Sequence, residues 1–152
     1  MKHKWIFRYI NFWPPFVGAG IRVRKMTPDL CHFEVELKLR FWNKNAMGTH
    51  FGGSLFSMAD PFYVLMLSNN LGHDYAVWDK SSSIRFKKPA RGKIIANFYL
   101  SQEEINRIKS EADQSDRSEP NFKVCLTDES GEIVAEVEKI LSIKHKSKAH
   151  KK

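Results

Sequence analysis

Asp60 is a carboxylate in apolar company. Around it Leu55, Phe56, Met58, Ala59, Phe62, Tyr63, Val64, Leu65, Met66, Leu67 and Leu71 leave no polar face, and burying an unpaired charge there is costly. An acid in that setting points to general-base or nucleophilic chemistry; the alternative is a structural carboxylate satisfied by strand amides or a neighbouring cation. Just upstream, a polar, glycine-rich loop brings Gly52-Gly53 to the start of the apolar run. The first N–H groups of a helix starting there have no intrahelical partner and carry partial positive charge, so Gly53 N–H can polarise a carbonyl. Glycine lets a ligand approach the backbone closely; equally, the pair can serve only to turn the chain into the helix. Asn45 can orient a water or a carbonyl, or cap its own loop. His50 can serve as a base or as a structural loop histidine. Arg85, Lys87, Lys88, Arg91 and Lys93 form a basic patch that suits phosphates or a solvated strand face.

These residues need a helix to hold them. The apolar positions of residues 55–71 cover the whole helical circumference, which predicts a buried helix. Its start is marked by Gly52, Gly53 and Ser54, with Thr49 as another cap, and its end by Ser68, Asn69, Asn70 and Gly72. It is too short and interrupted to span a bilayer. Pro61 removes a backbone bond and kinks or breaks the helix, which sets Asp60 at a bend.

The rest of the chain must wrap this helix. Its 152 residues predict one domain, residues 1–143, with an ordinary apolar and charged content of 42% and 28%. Five of the eight net positive charges sit on Lys144, Lys146, Lys148, Lys151 and Lys152. The body is therefore only mildly basic, and nucleic acid is not an expected partner. Residues 144–152 read as a basic, disordered tail. Cys31 and Cys125 lack metal spacing and suit a reducing cytoplasm; no metal or cofactor is expected. Residues 1–18 form an N-terminal aromatic helix from Trp5 to Trp13, ended by Pro14-Pro15, and a linker. No signal or transmembrane segment develops. Strands are expected at residues 20–26 and 31–41, the second with Phe33, Val35, Leu37, Leu39 and Phe41 on its dry face. Residues 76–88 and 93–101 read as a hairpin around Pro89 to Gly92, and residues 122–127 and 133–143 as a second. Between them, residues 102–119 read as a short surface helix bearing Ile105, Ile108 and Ala112, then a mobile loop. The fold class is α+β: an antiparallel sheet curled around one long central helix.

The order of these elements, with Asn45, Gly52-Gly53, Phe56, Met58, Ala59 and Asp60 in their spacing, resembles the hotdog fold. It is most similar to acyl-CoA thioesterases of the phenylacetate-degradation type, and within that superfamily to a DUF4442-like subgroup. The stretch from Ser82 to Lys93, SSIRFKKPARGK, adds to the likeness, which covers residues 30–143. Phe51 stands where the family usually has histidine, with His50 one residue earlier. The resemblance implies an acyl-CoA or other acyl-thioester substrate hydrolysed to acid and thiol. It makes Asp60 the activator of water, Gly53 N–H the oxyanion donor and Asn45 the positioner of water. His50, Phe51, Gly52, Phe56, Tyr63, Ser83, Arg85, Lys87 and Lys88 would bind substrate, with Phe62 and Trp78 also shaping an acyl pocket for a medium or aromatic chain. Gly53 and Asp60, seven positions apart, lie roughly 10 Å apart along one helix. Two copies about a two-fold axis would bring the donor of one to the acid of the other, as in the resembling enzymes, so a homodimer or a dimer of dimers is expected. The alternative is a non-catalytic acyl-CoA or lipid-binding hotdog protein. Hydration or dehydration of acyl thioesters is disfavoured because no helix histidine pairs with the acid.

Overall fold

The computed structural model describes residues 8–148. Trp5, Ile6 and Phe7 of the expected N-terminal helix, and residues 149–152 of the tail, lie outside them. Arg8 and Tyr9 are helical and run into a 3-10 turn at Ile10–Phe12, which precedes helix α1 at Pro14–Ala19. The expected helix thus ends at the proline pair, which also opens the next one: Trp13 is extended, as a residue before proline prefers, and proline is at ease in a first helical turn.

Six strands follow: β1 (Ile21–Met26), β2 (His32–Lys38), β3 (Tyr75–Phe86), β4 (Lys93–Tyr99), β5 (Asn121–Thr127) and β6 (Ile133–His145). They form one antiparallel sheet in the order β1-β2-β4-β5-β6-β3. The expected β3–β4 hairpin does not form. β3 pairs only with β6, at the sheet edge, and β4 lies between β2 and β5, so residues 87–92 are a crossover. The β5–β6 hairpin forms as read. β2 stops at Lys38, before the expected Leu39 and Phe41, and Phe41 is 80% exposed.

The central helical segment is broken in two, α2 (Gly52–Ser57) and α3 (Phe62–Leu71). Its apolar side chains fill the concave face of the sheet. The Phe62 ring lies 4.6 Å from that of Phe98, 5.2 Å from Phe33 and 6.0 Å from Phe16, and Met58, Met66 and Leu67 are fully buried beside it. Helix α4 (Gln102–Gln114) buries Ile105, Ile108 and Ala112 as its spacing predicts, and the Ser101 hydroxyl caps it by accepting from Glu104 N–H at 3.1 Å. Residues 115–120 are pinned rather than loose: Ser118 is buried and bridges Ile143 by backbone bonds in both directions. β6 also runs past residue 143 to His145, and a 3-10 turn covers Lys146–Lys148, so ordered structure extends into the expected tail. Among the described residues, no helix is long and apolar enough to cross a membrane.

Candidate functional site

The loop before α2 is built by two asparagines. Asn43, buried, accepts from Arg40 N–H (2.7 Å) and donates to the carbonyls of Lys38 (2.8 Å) and Ala19 (3.0 Å). Asn45 donates to Thr49 Oγ1 (2.9 Å) and the His50 carbonyl (3.2 Å), while its oxygen accepts from Met47 N–H (2.9 Å) and Thr49 N–H (3.1 Å). All four hydrogen-bonding positions of that amide are spent inside the loop, so Asn45 is a loop-capping residue here. His50 then ties the loop to the crossover. Its N–H donates to the Ala90 carbonyl and its Nε2 meets the Gly92 carbonyl, both at 2.9 Å. Since a carbonyl only accepts, Nε2 carries the proton. Nδ1 is buried without a partner among the described residues, and burial pushes the imidazole below its ordinary pKa.

Gly52 and Gly53 open α2. A methyl group on Gly53 would collide with the Phe51 ring, and one on Gly52 would press on Phe86. The close approach that glycine permits here is therefore made by Phe51, itself exposed. Asn45, His50 and Gly52 line a cleft of about 590 Å³ with Lys87, Lys88 and Arg91. The expected basic patch is largely neutralised. Lys87 pairs with Glu136 (3.1 Å), Lys88 with Asp128 (2.7 Å) and Glu132, and Lys93 with Glu129 (3.3 Å). The Lys88 ammonium holds the Asp128 carboxyl well below the usual carboxylate range. Arg91 meets the Gly48 carbonyl (3.4 Å) and, among the described residues, no carboxylate.

Asp60 sits at the break between α2 and α3. Helical bonding ends as Asp60 N–H donates to the Ser57 carbonyl at 3.3 Å, and restarts where Leu65 N–H donates to the Pro61 carbonyl at 2.9 Å. The bend turns the carboxylate outward, so its side chain is 58% exposed rather than buried. Beneath it lies Lys139, wholly inaccessible, with Nζ 3.0 Å from Asp60 Oδ1 and 2.9 Å from Asp79 Oδ1, and also donating to the Asp60 carbonyl. Of the two structural alternatives for the acid, the neighbouring cation is the one present. Lys139 escaped the sequence reading, although a signal existed. It interrupts the inward row Ala135, Val137, Leu141, Ile143 of β6, where a lone lysine is anomalous. Asp60 and Phe56 line a second cleft, of about 270 Å³, with Trp13, Pro15, Phe16, Ser57 and Pro61.

Five of the expected pocket residues lie elsewhere. Phe62 and Tyr63 are core: the Tyr63 ring stacks on Phe122 at 4.2 Å, and burial pushes its hydroxyl up to about 12. Alternation along β3 puts Ser83 and Arg85, both exposed, on the opposite face from Ile84. Trp78 is 72% exposed on the same edge strand. Among the described residues, no group of three or more His, Cys, Asp or Glu could hold a metal ion.

The family model described as "Domain of unknown function (DUF4442)" matches residues 3–143. A Pseudomonas aeruginosa protein of unknown function, described as a probable thioesterase, shares 25% identity over 83% of each chain at a TM-score of 0.75. A thioesterase from Haemophilus influenzae shares 14% identity over 91% of this chain and 88% of its own, with a TM-score of 0.66. A mutant of the phenylacetic acid degradation protein PaaI from Thermus thermophilus shares 19% over 86% and 98%, with a TM-score of 0.59. No curated protein matches the sequence.

Proposed function

We propose that this chain, which belongs to the DUF4442 family and has the hotdog fold, hydrolyses acyl thioesters to free acid and thiol. One observation carries the reading: an exposed carboxylate, Asp60, stands at a helix break over a buried ammonium, on a fold shared with proteins described as thioesterases. In the proposed reaction Asp60 takes a proton from water as the oxygen attacks the thioester carbonyl carbon. Gly53 N–H stabilises the resulting oxyanion, and the tetrahedral intermediate collapses with loss of the thiolate, which recovers the proton.

Asp60 and Gly52 line different clefts of one protomer. That separation, and the unpaired outer edge of the twelve-residue strand β3, favour a homodimer in which Gly53 of one protomer faces Asp60 of its partner. Asn45 contributes by shaping the loop that presents the glycine pair. Phe51 and Phe56 are the aromatic residues available to an acyl group, and Arg91 is the cation available to a coenzyme's phosphates. A second reading, binding without hydrolysis, is favoured by the Phe51 ring packed against Gly53.

Thiol release from short, medium, long and aromatic acyl-CoAs decides between them. Release by the native protein, lowered about 100-fold or more in Asp60→Asn, is the expected result for a lost general base. Equal rates in both would sink the role of Asp60. Silence from both with calorimetric binding intact would establish the binding protein.

A further inference from the structure

We propose that Lys139 and Asp79 are positioning residues for the Asp60 carboxylate; the proposal rests on the thioesterase reading above. A buried ion pair is weak evidence for a purely stabilising role, because apolar side chains of similar volume commonly serve as well. Lys139 occupies an inward position of β6 that its neighbours Val137 and Leu141 fill with apolar side chains. Its nitrogen lies against three oxygens: it donates to Asp60 Oδ1 and to the Asp60 carbonyl, and it pairs with Asp79 Oδ1 at 2.9 Å. One nitrogen therefore grips both the backbone and the side chain of Asp60. That chelate restricts the side-chain rotation of Asp60 and the turn of its peptide together. It leaves Oδ2 without a partner among the described residues, on a side chain open to the cleft beside Phe56 and Ser57.

Asp79 anchors the same ammonium from the sheet. The β3–β6 register passes from Asp79↔Leu141 to Ser81↔Ile140, so Lys80 is an inserted residue. Bulges of this kind re-aim side chains. Before it, Asp79 follows Tyr75 and Val77 on the inward face; after it, Ser82 lies opposite Lys139. The inserted Lys80 is taken outward by Glu119 at 2.5 Å. Asp60 thus holds the ammonium from the helix break and Asp79 from the edge strand. Removing Asp79 would free the lysine stem to swing and release the grip on Asp60.

A base displaced by a fraction of its working distance loses rate rather than substrate affinity. The test is steady-state thiol release from the best acyl-CoA of the panel by native protein, Lys139→Met, Lys139→Arg, Asp79→Ala and Asp79→Asn, each checked for folding by thermal melting. Lys139→Met is expected to lower kcat about 100-fold with KM within about twofold, and Lys139→Arg to recover part of the loss. Asp79→Ala is expected to lower kcat about tenfold, and Asp79→Asn, which keeps an acceptor oxygen for Nζ, to return it to within about threefold of native. Should Lys139→Met fail to fold, the Asp79 pair decides alone, since that side chain is 38% exposed. An active native protein whose kcat is untouched by these changes, or whose losses fall only in melting temperature or KM, overturns the positioning role and leaves the thioesterase standing. A native protein silent on the whole panel removes both, and is distinguished by its own lack of rate.

Discussion

Burial of the His50 ring has a consequence that a pH titration reads directly. Its pKa lies below the ordinary 6.5 because desolvation disfavours the charged ring. Through the window between the two values the unfolded chain binds the proton and the folded protein does not, so stability rises with pH and is lost as pH falls below about 6.5. Melting temperature should therefore drop on going from about pH 7.5 to about pH 5.5, and should drop less steeply in His50→Gln. Equal slopes in the two proteins would show that His50 is not the group responsible. The sequence left this histidine open between base and loop anchor, since the Gly92 carbonyl that fixes its tautomer lies 42 positions away. Asp60 and the glycine pair were legible because each breaks the pattern around it. Lys139 breaks a pattern too, but the oxygens that explain it come from residues 60 and 79.

At the scale of elements, Phe62 shows why the broken helix is still one unit. Its ring is fully buried at the start of α3 among Phe16 of α1, Phe33 of β2 and Phe98 of β4. Phe62→Ala should cost about 3–5 kcal/mol, the transfer term plus the cavity left by packing that cannot fully collapse, as measured by urea unfolding. A loss under about 1 kcal/mol would mean that the core closes over the gap. Helical periodicity placed Phe62 in the core correctly in principle; assigning it and Tyr63 to a pocket wall failed because an all-round apolar helix leaves no face that marks a ligand. The β3–β4 hairpin failed for another reason. A four-residue Pro-Ala-Arg-Gly connection has hairpin composition, yet the Ala90 carbonyl is taken by His50 N–H and the Gly92 carbonyl by His50 Nε2 and Leu39 N–H, none of them in β3, and β6 claims β3 along its length.

For the whole molecule, the edge position of β3 carries the quaternary prediction. Twelve residues pair on one side only, and Trp78 and Phe86 remain exposed along them, an edge that natural proteins ordinarily cover, shorten or charge. Sedimentation equilibrium should return the mass of two or four chains, and Trp78→Lys should weaken the association. A monomer at micromolar concentration that still releases thiol would remove the composite site shared between protomers.

Local pattern determined a great deal by itself. The alternation of β2 and β6, the unbroken apolar circumference of residues 55–71 and the turn residues between them specify an α+β sheet wrapped on a helix. Pro61 placed a bend next to the acid, because backbone chemistry acts within a residue or two. Tertiary structure alone decided which strands are neighbours, which cation meets Asp60, and that the lysines near the crossover are already paired. Those outcomes depend on contacts between positions 30 to 79 residues apart, and periodicity encodes which face a residue occupies, not what it will meet there.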